Sequence, residues 1–278
     1  MLNKILNVII CVGVPYVVIT WAFRNLGTTM GFGVTILCFI ALFLYFKPRI
    51  YTILGRQKYL SDHDAGFKYM EKAHATGRMH PQDALIYAYM LIRDGHLTKA
   101  EKLIAGTIHQ NKNKLSEKNL LAADLNSAII LWKKNDLPAA IEKMEGVYNT
   151  GYRSTVLYQT LGIFYLMNND LIKAESFLNE AMDYNGDDIS IRDNLGLLYI
   201  KQGDFQKAEE IYKKIFEETT PSFIEAHYNY ATVLKHKGDI ENACKYYQKA
   251  LGCPERFLST VKLSLVEAEL ADAESKLN

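Results

Sequence analysis

LGLLYIKQGDFQKAEEIY, residues 195–212, decides the architecture of this chain. Leu195, Gly196 and Tyr199 recur at helical spacing, and Gly203-Asp204 is a turn signal. Ala208, followed four places later by Tyr212, then puts a small and a large residue on one face of a second helix. The same order appears five times. Its alanine is Ala100, Ala140, Ala174, Ala208 and Ala243, at intervals of 40, 34, 34 and 35 residues. Self-similarity at such a period marks a helical repeat array, in which each helix-turn-helix unit buries its apolar face against its neighbours.

The flanking units carry the pattern in both directions. Before it stand Leu161-Gly162, Tyr165, the turn Asn169-Asp170-Leu171, Ala174, Leu178 and Ala181. After it come Ala231, the turn Lys237-Gly238-Asp239-Ile240, Ala243, Tyr247, Ala250 and Pro254. Two earlier units, around Ala100 and Ala140, keep the small-then-large order and lose the Leu-Gly pair and the tyrosine. This is similar to the tetratricopeptide pattern L-G-x2-Y, A-x3-F, P. The chain resembles that family, in a membrane-anchored bacterial form. The pattern's early tryptophan is replaced by Ala84, Asp124, Tyr158, Arg192 and His227. The resemblance implies an all-α solenoid of five repeats, 81–114, 121–154, 155–188, 189–223 and 224–254. Residues 60–80 read as a leading helix or half-repeat, and 255–278 as a C-terminal capping helix. In that last segment Leu263, Val266, Leu270, Ala273 and Leu277 recur at helical spacing, which fits a cap over the last repeat or a dimer seam.

Residues 1–46 contain no Asp or Glu and only Lys4 and Arg24 as basic side chains. Two apolar runs, 5–23 and 27–46, are each long enough as a helix to cross a hydrocarbon core of about 30 Å. With Arg24-Asn25-Leu26 as their only connection, they are expected to form a transmembrane helical hairpin. The basic juxtamembrane linker 47–59, with Lys47, Arg49, Arg56 and Lys58, then predicts a multi-pass protein of two spans whose repeats face the cytoplasm.

Beyond residue 46 there are 30 basic against 31 acidic side chains, a balance that offers no general attraction to nucleic acid. Cys11 and Cys38 lie in the apolar runs and Cys244 and Cys253 are isolated, which fits a reducing compartment and excludes a CxxC redox or zinc motif. The chain has no G-x-S-x-G elbow, phosphate loop, H-E-x-x-H or dinucleotide fingerprint. No catalytic, cofactor or metal site is expected. His63 beside Asp62 and Asp64 reads as a helix start, Asp187-Asp188 as a turn, and Lys112, Lys114 and Lys118 as a solvated basic loop.

The resemblance supplies the expected site. In the family, the first helix of each repeat lines a concave groove with its places 2, 5, 9, 12 and 13. On this chain those places give an apolar centre of Leu125, Ile129, Trp132, Ile163 and Met167, with Gln159 and Tyr228 beside it. Asparagines recur at place 6, Asn126, Asn194 and Asn229; an amide can hold an extended peptide backbone or cap the repeat locally. The family's clamp for a chaperone tail needs lysine and asparagine where this chain has Leu85 and Tyr89, then Leu125 and Ile129. The expected function is a membrane-tethered scaffold binding a protein or peptide partner, with Trp132 as anchor. The alternative is a non-catalytic subunit of a membrane enzyme or transport complex, touching it through the hairpin.

Overall fold

A computed structural model describes residues 12–111, 113 and 115–277, and all of its regular elements are helices. The chain divides into two compact units, residues 1–84 and 85–278.

The first unit is built on one long helix, α1 (Val14–Ser61). The expected pair of separate spans, 5–23 and 27–46, is not what forms. Among the described residues one helix is long and apolar enough to cross a membrane, and it covers Val14–Tyr59. The reason lies in the short connection. Asn25 donates its side-chain amide to the Trp21 carbonyl at 2.8 Å, keeping the turn helical through Arg24-Asn25-Leu26. The only non-helical residue within α1 is Gly27 (φ 81°, ψ 173°), a conformation that costs glycine little. There the helix kinks, and the Phe23 ring meets Phe32 edge-on at 5.3 Å. A two-span, multi-pass arrangement, and the cytoplasmic placement of the repeats drawn from it, falls with the hairpin. The start of the first expected span, 5–11, and Cys11 lie outside the described residues.

Further along α1, Pro48 has no N–H to give the Leu44 carbonyl. Arg78 supplies the missing donor, its guanidinium meeting that oxygen at 2.9 Å. Asp62 then caps α2 (His63–Ala75) by accepting from the Ala65 N–H at 3.0 Å. The helix pair is close because Gly66 has no side chain: a Cβ there would stand 2.3 Å from the Tyr59 nitrogen. Met70 and Ala73 are fully buried in this pairing.

Five helix pairs follow: α3 (Pro81–Arg93) with α4 (Leu97–Asn111), α5 (Glu117–Lys133) with α6 (Leu137–Asn149), and α7 (Thr155–Met167) with α8 (Leu171–Asn185). Next come α9 (Ile189–Gln202) with α10 (Phe205–Glu218), and α11 (Ile224–His236) with α12 (Ile240–Leu251). One turn chemistry serves all five. The turn after the first helix has a residue of positive φ at Gly95, Asn135, Asn169, Gly203 and Gly238, and only glycine and asparagine take that conformation readily. In four of the pairs the next residue is an aspartate that caps the second helix: Asp136, Asp170, Asp204 and Asp239 each accept the backbone N–H three residues on, at 3.1 to 3.3 Å.

Within each pair the small residues admit the large ones. A Cβ on Gly196 would stand 2.7 Å from the Tyr212 ring, and one on Gly162 would stand 2.7 Å from Leu178. Ala100, Ala140, Ala174, Ala208 and Ala243 are fully buried, as are Tyr212 and Tyr247. Two of the residues that replace the pattern's tryptophan are held by interior bonds. Arg192 donates to the Gly186 carbonyl at 2.6 Å and to the Glu218 carboxylate, while the His227 ring nitrogen meets the Pro221 carbonyl at 2.9 Å.

Within the segment 255–278 the terminal helix α13 (Leu263–Ser275) starts at Leu263, the first residue of the apolar spacing, and 254–262 is irregular. Val266 and Ala273 are fully buried and Leu263 and Leu270 pack on the core of the last two pairs, while Leu277 is exposed. Lys235 of α11 reaches Glu269 and Asp272 of α13, both at 2.6 Å.

Candidate functional site

The ten residues expected to line the groove divide by exposure. Leu125 and Ile129 are buried in α5, so their side chains pack between helices. Trp132 is half-buried; its ring lies 5.3 Å from that of Phe164 in the next repeat. Ile163 is half-buried and Met167 is 41 % exposed on α7. Gln159 donates its amide to the Asp188 cap at 2.8 Å. Tyr228 is half-buried, 5.8 Å from the Tyr247 ring.

The three asparagines are buried and point at the preceding repeat. Asn126 donates to the Leu85 carbonyl at 3.1 Å and Asn194 to the Gln159 carbonyl at 2.8 Å. Asn229 donates instead to the Asp193 carboxyl at 3.0 Å, and the Tyr212 hydroxyl meets the same oxygen at 3.0 Å. Each amide joins place 6 of one repeat to place 5 of the one before. Burial pushes the Asp193 carboxyl up to about 7; the bonds from Asn229 and Tyr212 oppose this, and the charge of Glu225 adds to it.

The structure brings two residues beside Trp132: Lys133, at place 13 of the second repeat, and Phe257, which sequence reasoning left out of the site. The Lys133 ammonium is 4.0 Å from the Trp132 ring and 5.1 Å from the ring of Phe257, a residue of the irregular segment before α13. Burial, then the charge of Lys262, pull Lys133 down to about 8, with Glu225 acting the other way. Phe257 also packs over Gly95, where a Cβ would stand 3.1 Å from its ring. The signal that this segment is not helix was present in Pro254. Its destination was not in the sequence.

Among the described residues no group of three or more His, Cys, Asp or Glu is placed to hold a metal ion. Lys112 and Lys114 lie outside the described residues.

A family model described as Tetratricopeptide repeat matches residues 189–218 and 224–252. The chain carries a tetratricopeptide-repeat solenoid. Its fold is similar to that of a tetratricopeptide repeat protein from Parabacteroides merdae, with TM-score 0.61 and 13 % identity, covering 91 % of this chain and 95 % of that one. It is similar also to a thermophilic TPR protein of Thermus thermophilus, with TM-score 0.54 and 20 % identity over 70 % of this chain and 99 % of that one. A chain of the APC/C hetero-tetramer Cut9-Hcn1 gives TM-score 0.59 and 14 % identity over 88 % of this chain and 50 % of that one. At these identities the likeness is one of fold. No curated protein matches the chain. Tetratricopeptide arrays stack helix pairs into an extended repeat surface, and residues 189–252 carry two such units by sequence as well as by fold.

Proposed function

We propose that the solenoid holds a protein or peptide partner on its concave face and is tethered to a membrane through α1. The observation that carries the groove reading is the incomplete burial of Trp132, Ile163 and Met167 on two successive first helices, in a domain whose other large apolar side chains are mostly interior. An indole there can bury far more of its surface against a ligand than it does against Phe164. Gln159 and Tyr228 add polar contacts at matching places, and Lys133 a positive charge. The tether reading rests on α1 itself. Trp21, Phe32, Ile36, Leu37, Phe39, Ile40 and Phe43 all stand exposed along it, an apolar surface that water does not favour and a bilayer does. Lys47, Arg49, Arg56 and Lys58 follow, where they can meet anionic headgroups.

Crosslinking from position 132 in native membranes, with identification of the captured proteins, tests the groove. A defined partner lost on Trp132→Ala is the expected result; capture that ignores this residue refutes the site.

A further inference from the structure

The link between the last repeat and α13, residues 254–262, touches three repeats. Glu225, at the start of α11, accepts the Thr260 N–H at 2.7 Å, the Thr260 hydroxyl at 3.3 Å and the Val261 N–H at 3.4 Å. Glu255 closes the base of the link, accepting from Lys262 and from the Leu263 N–H, both at 2.9 Å. Arg256 and Ser259 bond across its tip: the Ser259 N–H meets the Arg256 carbonyl at 3.0 Å, and the Arg256 N–H meets the Ser259 hydroxyl at 3.2 Å. That tip presents Phe257 to Gly95 of the first repeat and Lys133 of the second. The Lys133 ammonium therefore stands between two aromatic rings, one from the groove and one from the link.

We propose that this link is a built-in occupant of the groove, and that the partner displacing it is an extended peptide whose aromatic side chain takes the place of Phe257 between Gly95 and Lys133. The proposal rests on the groove reading and names the chemistry of its ligand. Glycine at position 95 lets a flat ring lie close to the backbone, and an ammonium attracts a ring face. The link is built to leave. Phe257 keeps 38 % of its surface exposed, whereas α13 is anchored separately by the fully buried Val266 and Ala273. A tethered segment competes at high effective concentration, so a partner's apparent affinity falls by the fraction of time the groove is open.

The test uses the full chain with Trp21→Phe, which leaves Trp132 as its single tryptophan. The probe is a labelled peptide of sequence PERFLSTVK, residues 254–262 supplied in trans. Phe257→Ala should shift the Trp132 emission and raise peptide affinity by roughly tenfold over the parent. Replacing the phenylalanine of the peptide by alanine should abolish binding. Glu225→Ala, which releases the link without touching Phe257, should have the same effect as Phe257→Ala; matching melting curves establish that both variants are folded. Equal affinity in parent and variants, no binding to any of them, or indifference to the peptide's phenylalanine overturns the proposal. The outcomes separate from those of the scaffold reading. A solenoid that takes the peptide but captures no cellular protein from position 132 keeps the built-in occupant and refutes the scaffold, and the reverse result overturns the occupant alone.

Discussion

Replacing Asp193 by asparagine should make the array more stable at pH 8 and flatten its pH dependence. The carboxyl is buried in α9, where its outer oxygen is met by the Asn229 amide and the Tyr212 hydroxyl, and no cation is among the groups that shift its titration. It therefore favours its proton: its titration sits at about 7 in the fold, against 3.8 when solvated. A folded-state value above the unfolded one means that the contribution is fully present below about pH 4 and is lost as pH rises toward 7. At about 1.4 kcal/mol per pH unit the loss comes to about 4 kcal/mol, nearly all of it gone by pH 7. Asparagine keeps the oxygen that both donors need and has no charge to bury. Denaturant midpoints of parent and Asp193→Asn at pH 4.5, 6 and 8 measure the difference directly, because the other titrating groups are common to both. The gap should widen in favour of the variant from the lowest to the highest pH. Parallel pH curves, or a variant less stable at pH 8, would refute the argument that desolvation outweighs the two hydrogen bonds.

Gly196→Ala should destabilise the array by about 1 to 3 kcal/mol despite alanine's better helix propensity, since its Cβ would meet the Tyr212 ring at 2.7 Å; a thermal melt unchanged or raised would show that the ring has room to move. Trp132→Ala should weaken partner binding five- to thirtyfold, about 1 to 2 kcal/mol, while lowering stability by less than the roughly 3 kcal/mol that removal of a fully buried indole costs. Binding and melting measured on the same variant decide that. Deleting residues 1–61 should move the protein from the membrane to the soluble fraction on fractionation, and retention in the membrane would count against the tether.

What was legible in the sequence is what local chemistry decides. Asn169-Asp170 and Gly203-Asp204 announce a left-handed residue followed by a helix cap, and the structure uses them so. Gly196 with Tyr212, at the small and large places of one unit, meet as their spacing requires. The path of the amino-terminal segment was less legible, because hydropathy measures how much apolar chain there is and not where it turns. A glycine in a helix, such as Gly27, marks a kink as readily as a loop. The capping segment 255–278 is helical only from Leu263, the first residue of its apolar spacing: Lys262 makes no side-chain cap, and the chain before it is held by Glu225 and Glu255. Contacts such as Asn126 with Leu85, or Phe257 with Gly95, join residues far apart in sequence, and nothing in either partner's neighbourhood names the other.

The asparagine bonds between repeats also bear on how such an array can be rearranged. Asn126 and Asn194 bind backbone carbonyls, which every residue possesses, so each is a generic coupling that would accept any repeat in front of it. Asn229 binds the side chain of Asp193, which makes the fourth and fifth repeats a keyed pair. Duplicating or excising a unit at a generic joint leaves a usable bond at the new junction. Doing so between Asp193 and Asn229 strands a buried carboxyl on one side and a buried amide on the other. The carboxyl-terminal pair is thus the part of the array that must be inherited together, and the joints at Asn126 and Asn194 are where its length is free to change.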